Sequence, residues 1–141
     1  MKYFSLIPLL LLLNFLQAQT NEAVKRTFET MYPNAHDAKY SKDENNIYQV
    51  VFDIDDKEYE AFFDILGNWL KTKIEIEKNE LPYNVQKALE SFDSVESFFK
   101  VLTPEKEFYE CVVSKKSIDY VVLINEKGRI LKKVKEEDYE D

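Results

Sequence analysis

Shifting the chain by 61 residues lays residues 24–71 over residues 85–132 without a gap. Ten of these 48 positions are identical, among them Val24/Val85, Lys39/Lys100, Tyr48/Tyr109, Val51/Val112, Tyr59/Tyr120 and Gly67/Gly128. Apolar character coincides as well, with Phe28 over Leu89, Phe52 over Val113, Ala61 over Val122 and Phe63 over Ile124. The chain has only two glycines, and both fall on equivalent positions. A match of this kind confines the fold to two copies of one supersecondary unit.

Each unit reads as a helix followed by strands. Ala23, Val24, Thr27, Phe28 and Met31 follow helical spacing and leave Lys25, Arg26 and Glu29 outside. Tyr32-Pro33-Asn34 stops that helix, because proline disfavours helical geometry in the residue before it. Residues 38–41 predict a short strand, and residues 47–54 and 57–63 predict alternating strands joined at Asp55-Asp56, a two-residue hairpin signal. Gly67 turns the chain into a fourth strand over residues 69–76. In the second unit Leu81-Pro82 opens a helix carrying Val85, Ala88, Leu89 and Phe92, and strands follow at 98–102, 108–114, 118–124 and 129–134. The expected fold class is α+β: a tandem duplication of an α–β4 unit, with antiparallel sheets covered by helices on one face.

The segment before the first unit has a different character. Lys2 precedes an apolar run over residues 4–16 broken only by Ser5, Pro8 and Asn14. The run is shorter than the roughly 20 residues that span a membrane and matches the core of a secretory signal, with cleavage expected after Ala18. The expected organisation is a signal peptide at 1–18, a first repeat at 19–79, a second at 80–135 and an acidic, frayed tail at 136–141. The expected location is periplasmic or secreted, with no stable membrane span after cleavage.

Composition narrows function mainly by exclusion. The chain has 19 basic and 27 acidic side chains and a net charge of −8, the opposite of the basic stripe a nucleic-acid binder needs. Two glycines leave no phosphate-cradling loop. The lone Cys111 rules out an internal disulfide and a cysteine zinc site, and its alternating surroundings make it a small buried apolar residue. His36, the only histidine, sits just past the helix stop as a solvated residue, so no nucleophile–base pair is expected. No catalytic, cofactor-binding or metal-ligating residues are expected, and the chain reads as non-enzymatic. The crowded acids Asp53, Asp55, Asp56 and Glu58 offer one alternative, an envelope module that responds to a small ligand or to Ca²⁺ through its acidic hairpins.

Several segments together resemble the PepSY-like, β-lactamase-inhibitor-like secreted proteins of bacteria. They are the signal peptide, Phe28 through Pro33, Tyr48 through Phe52, Glu60 through Asp64, Gly67 through Leu70, and Leu81-Pro82. The resemblance implies the tandem α+β fold of β-lactamase inhibitor protein and of PepSY domains, and no catalytic residues. Inhibition of a target is implied by this likeness alone. Unit two departs from the pattern, with Asp93-Ser94 in place of Tyr32-Pro33 and Ile130 in place of Trp69.

The hairpin register supplies the candidate site. A two-residue turn at Asp55-Asp56 sends Phe52, Tyr59, Val50 and Ala61 to the helix side. The other face then carries Val51, Phe62, Trp69, Val112, Val121, Leu123 and Ile130. A sheet covered on one side should be polar on the other. An apolar patch there reads as the binding surface for an unidentified protein or peptide, with Trp69 as its anchor, or else as a face covered by a loop, the tail or the facing unit.

Overall fold

The computed structural model describes residues 22–139. The expectation of a signal peptide at 1–18 lies outside the described residues. Helix α1 (Glu22–Met31) leads into strands β1 (His36–Lys42), β2 (Tyr48–Ile54), β3 (Lys57–Phe63) and β4 (Trp69–Glu75). Helix α2 (Tyr83–Leu89) leads into β5 (Ser94–Leu102), β6 (Glu107–Lys115), β7 (Ile118–Ile124) and β8 (Ile130–Lys135). All eight strands form one antiparallel sheet in chain order. The sequence pattern implied a sheet for each unit; β4 instead pairs with β5 and joins them. No helix among the described residues is long and apolar enough to cross a membrane.

Both helices pack on the same face. Val24 and Phe28 of α1 bury against Tyr48, Val50, Phe52, Ala61 and Phe63. Val85 and Leu89 of α2 bury against Tyr109, Cys111, Val113, Val122 and Ile124. Each sheet residue of the second set lies 61 positions after its counterpart in the first, so Cys111 fills the place of Val50 as a small core residue. Burial pushes its thiol up to about 12, helped by the neighbouring Glu110 charge, which leaves it protonated and inert.

The turns recur at the same spacing. Asp55 and Asp56 have φ of 50° and 61°, and Lys116 and Ser117 have 51° and 62°, the left-handed pair that matches strand twist in a two-residue hairpin. At the β3–β4 turn Asp64 accepts the backbone N–H groups of Leu66 and Asn68, both at 2.9 Å. Asn125 does the same for Lys127 and Arg129. The Asn68 side chain and then its backbone N–H hold the Asp64 carboxyl below its ordinary range. Gly67 and Gly128 follow with φ of +83° and +81°.

The 61-residue spacing fails at the first strand of each unit. Lys39 pairs with Val51, and Ser97, not Lys100, pairs with Val112. The identity of Lys39 and Lys100 is therefore not a structural equivalence: Lys39 lies opposite Val51, whereas Lys100 lies opposite Tyr109 on the other face. The slip lets the β5–β6 hairpin run two pairs further, to Val101↔Phe108 and Leu102↔Glu107. That extension meets β4, through Lys73↔Val101 and Thr72↔Leu102. The same hairpin in unit one ends at Lys42↔Tyr48, and β1 remains an exposed edge strand.

Candidate interaction face of the sheet

Antiparallel partners share a face, so the ladders define the side turned away from the helices. One row crosses it as Val51, Glu60, Lys73, Val101 and Phe108. A second runs Glu75, Phe99, Glu110, Leu123 and Lys132. A third runs Ser97, Val112, Val121 and Val134, and Phe62 lies between Gln49 and Lys71. Five of the seven expected site residues, Val51, Phe62, Val112, Val121 and Leu123, therefore lie on this face. All are half-buried except Val121, which is buried.

Trp69 and Ile130 do not lie there, and the expectation is corrected. A bulge between Phe62 and Phe63 makes Phe62 pair with Lys71 and Phe63 with Trp69. The extra residue is Leu70, and it rotates Trp69 onto the helix side. The indole packs against the α1 core and donates to the buried Thr72 hydroxyl at 2.9 Å, where Tyr32 Oη also lies at 2.6 Å. The second unit has the same bulge between Leu123 and Ile124, so Ile130 pairs with core residue Ile124. Trp69→Ala is accordingly expected to destabilise the protein by about 2–3 kcal/mol, through a lost half-buried ring and a lost hydrogen bond to Thr72. Urea unfolding measures this, and an unchanged midpoint would return Trp69 to the outer face.

Phe99, Val101 and Phe108 belong to the outer face and were missed by the sequence reading. The alternation of Phe99, Lys100 and Val101 was a usable signal, but its direction depends on the three-residue slip of β5. Lysines flank the aromatics here. Lys71 lies 4.7 Å from the Phe62 ring centre, Lys73 4.9 Å from Phe99 and Lys106 5.5 Å from Phe108. A groove of about 520 Å³ borders Phe62 and Lys71, closed by Ile47, Gln49 and Leu70.

The centre of the face is an ion pair. Lys73 Nζ lies 2.7 Å from Glu110 Oε1, and the residues are 8% and 5% exposed. The C-terminal segment was expected to fray. Instead Glu136–Asp138 form a 3-10 turn, and Tyr139 Oη donates to Glu110 Oε2 at 2.7 Å.

Among the described residues no group of His, Cys, Asp or Glu is arranged to hold a metal ion. Asp55 and Asp56 serve as the left-handed turn residues of a hairpin. His36 is exposed on edge strand β1, and Cys111 is buried beneath α2.

No family model matches the chain, and no curated protein matches it. Solved structures do. A DUF2874 family protein from Bacteroides ovatus is 23% identical over 85% of this chain and 90% of its own, with a TM-score of 0.76. A BLIP-like protein from Bacteroides fragilis is 23% identical over 85% and 89%, with a TM-score of 0.74. A candidate periplasmic protein from Bacteroides eggerthii is 21% identical over 81% and 87%, with a TM-score of 0.73. The chain shares its fold with these DUF2874 and BLIP-like proteins.

Proposed function

We propose that this chain is an exported, non-enzymatic binding protein of the bacterial envelope, built by tandem duplication, which engages a protein or peptide through the sheet face opposite its helices. The observation that carries this reading is the face itself: Val51, Phe62, Phe99, Phe108, Val112 and Leu123 gather on a side that neither helix covers, among lysines placed over aromatic rings. A sheet covered on one side has no packing reason to place these residues there. The periplasmic description of one structural neighbour supports the location, as does the expected signal at 1–18. The BLIP-like neighbour supports inhibition as the form the binding takes, an analogy from fold to function.

Capture from envelope extract tests this reading. Replacing both Phe62 and Leu123 by Ala should weaken retention of the partner at least about tenfold, or roughly 1.4 kcal/mol. Tyr83→Ala, on the helix side and 71% exposed, should leave it unchanged. Equal retention by all three proteins would remove the face from the account.

A further inference from the structure

The buried carboxylate of Glu110 has two oxygens and two different partners. Oε1 meets Lys73, which belongs to the sheet framework. Oε2 meets the phenol of Tyr139, which belongs to the C-terminal segment. Glu136, Glu137 and Asp138 are exposed, and their turn closes through one backbone bond, Tyr139 N–H to Glu136 C=O at 3.1 Å. The lysines of β8 attract it: Lys132 Nζ lies 5.2 Å from the Tyr139 ring centre, and Lys135 Nζ lies 3.6 Å from Glu137 Oε1. The segment crosses no part of either helix-side core, so its departure disturbs neither.

We propose that Glu136–Tyr139 is a built-in competitor for the outer face, and that the partner segment it competes with is acidic and carries a tyrosine. The proposal rests on the reading of this face as a partner surface. When Tyr139 leaves, Glu110 Oε2 loses a donor while Oε1 keeps its contact with Lys73. A buried acceptor left unmet costs free energy, so a displacing ligand is selected for a hydroxyl at that point. An apolar side chain of the same shape lacks it. Lys135, which lies against Glu137, selects negative charge two residues before that tyrosine. A face occupied by its own chain also lowers apparent affinity by the fraction of molecules that are open, which gives the protein a threshold against weak ligands.

The test needs no natural partner. The full chain and its Tyr139→Ala variant are titrated with the peptide acetyl-EEDYE-amide, followed by amide NMR shifts of Val112, Val121 and Leu123. The variant should bind it at least tenfold more tightly than the parent chain, and the peptide with phenylalanine in place of tyrosine should bind the variant at least fivefold more weakly. Acetylation of Lys73 by an amine-reactive ester, read by mass spectrometry, should be at least fivefold faster in Tyr139→Ala and faster than the parent in Tyr139→Phe, which also loses the hydroxyl. Equal peptide affinity for parent and variant, or equal Lys73 labelling in parent and Tyr139→Ala, would overturn the proposal. Tyr139→Phe keeps the ring and supplies the same peptide comparison if Tyr139→Ala does not fold. Because no partner enters these measurements, their failure is separate from a failure of the partner reading, which rests on Phe62 and Leu123.

Discussion

Gly67→Ala and Gly128→Ala are each expected to destabilise the protein by about 3–5 kcal/mol, the sum of backbone strain and steric collision. Both glycines hold φ above +80°, a region where an L side chain is strained. Both also touch a helix at its first turn. A Cβ on Gly67 would lie 2.7 Å from the carbonyl carbon of Ala23, and one on Gly128 would lie 2.4 Å from the carbonyl oxygen of Asn84. These neighbours are backbone atoms, so no rotamer change relieves the contact; the helix must move off the sheet. Asn46→Ala isolates the strain component, since Asn46 has φ of 61° in an exposed turn and should cost only about 1 kcal/mol. Guanidinium unfolding of the three variants measures the difference. Glycine variants no worse than Asn46→Ala would show that the helices do not rest on these turns.

The second large effect is expected at the centre of the outer face. Glu110→Ala removes the counter-charge of a lysine whose side chain is 10% exposed and should cost about 3–5 kcal/mol. Lys73→Met should be comparably harmful, because it takes Lys73 from a carboxylate at 6% side-chain exposure and leaves it the Tyr139 hydroxyl. Combining Lys73→Met with Glu110→Leu removes both charges at similar volume and should return stability to within about 1 kcal/mol of the parent, since a buried pair recovers little more than its own desolvation. A double-mutant cycle from urea melts reads the coupling directly. Additive losses would mean that the two side chains act separately and that water reaches them.

The parts of the fold legible in the sequence are those set by local chemistry. Hairpin turns at Asp55-Asp56 and Lys116-Ser117, the helix-side positions Val50, Phe52, Ala61 and Phe63, and the two glycine turns all follow from period-two alternation and positive-φ requirements within a few residues. Three features are not local. The bulges at Leu70 and Leu131 reverse the facing of Trp69 and Ile130, and an alternating pattern reads the same with or without an inserted residue. The slip of β5 accompanies an α2 that ends at Leu89, three residues short of the position equivalent to Met31, which the gapless repeat conceals. The pairing of Glu110 with Lys73 across β5 is created only when the two units merge into one sheet. The bulges took Trp69 and Ile130 off the candidate face, and the slip of β5 set Phe99 and Val101 on it.

Photo-crosslinking in the intact envelope tests the central claim, that partners meet the sheet and not the helices. A benzoylphenylalanine is placed singly at Val51, Phe62 and Val112 on the outer face, and at Met31 and Tyr83 on the helix side, where both residues are exposed. The three outer positions should give an adduct of one common mass after irradiation, and the two helix-side positions should give none. Adducts from Met31 and Tyr83, with none from Val51, Phe62 or Val112, would contradict the account and move the interaction surface to the helices.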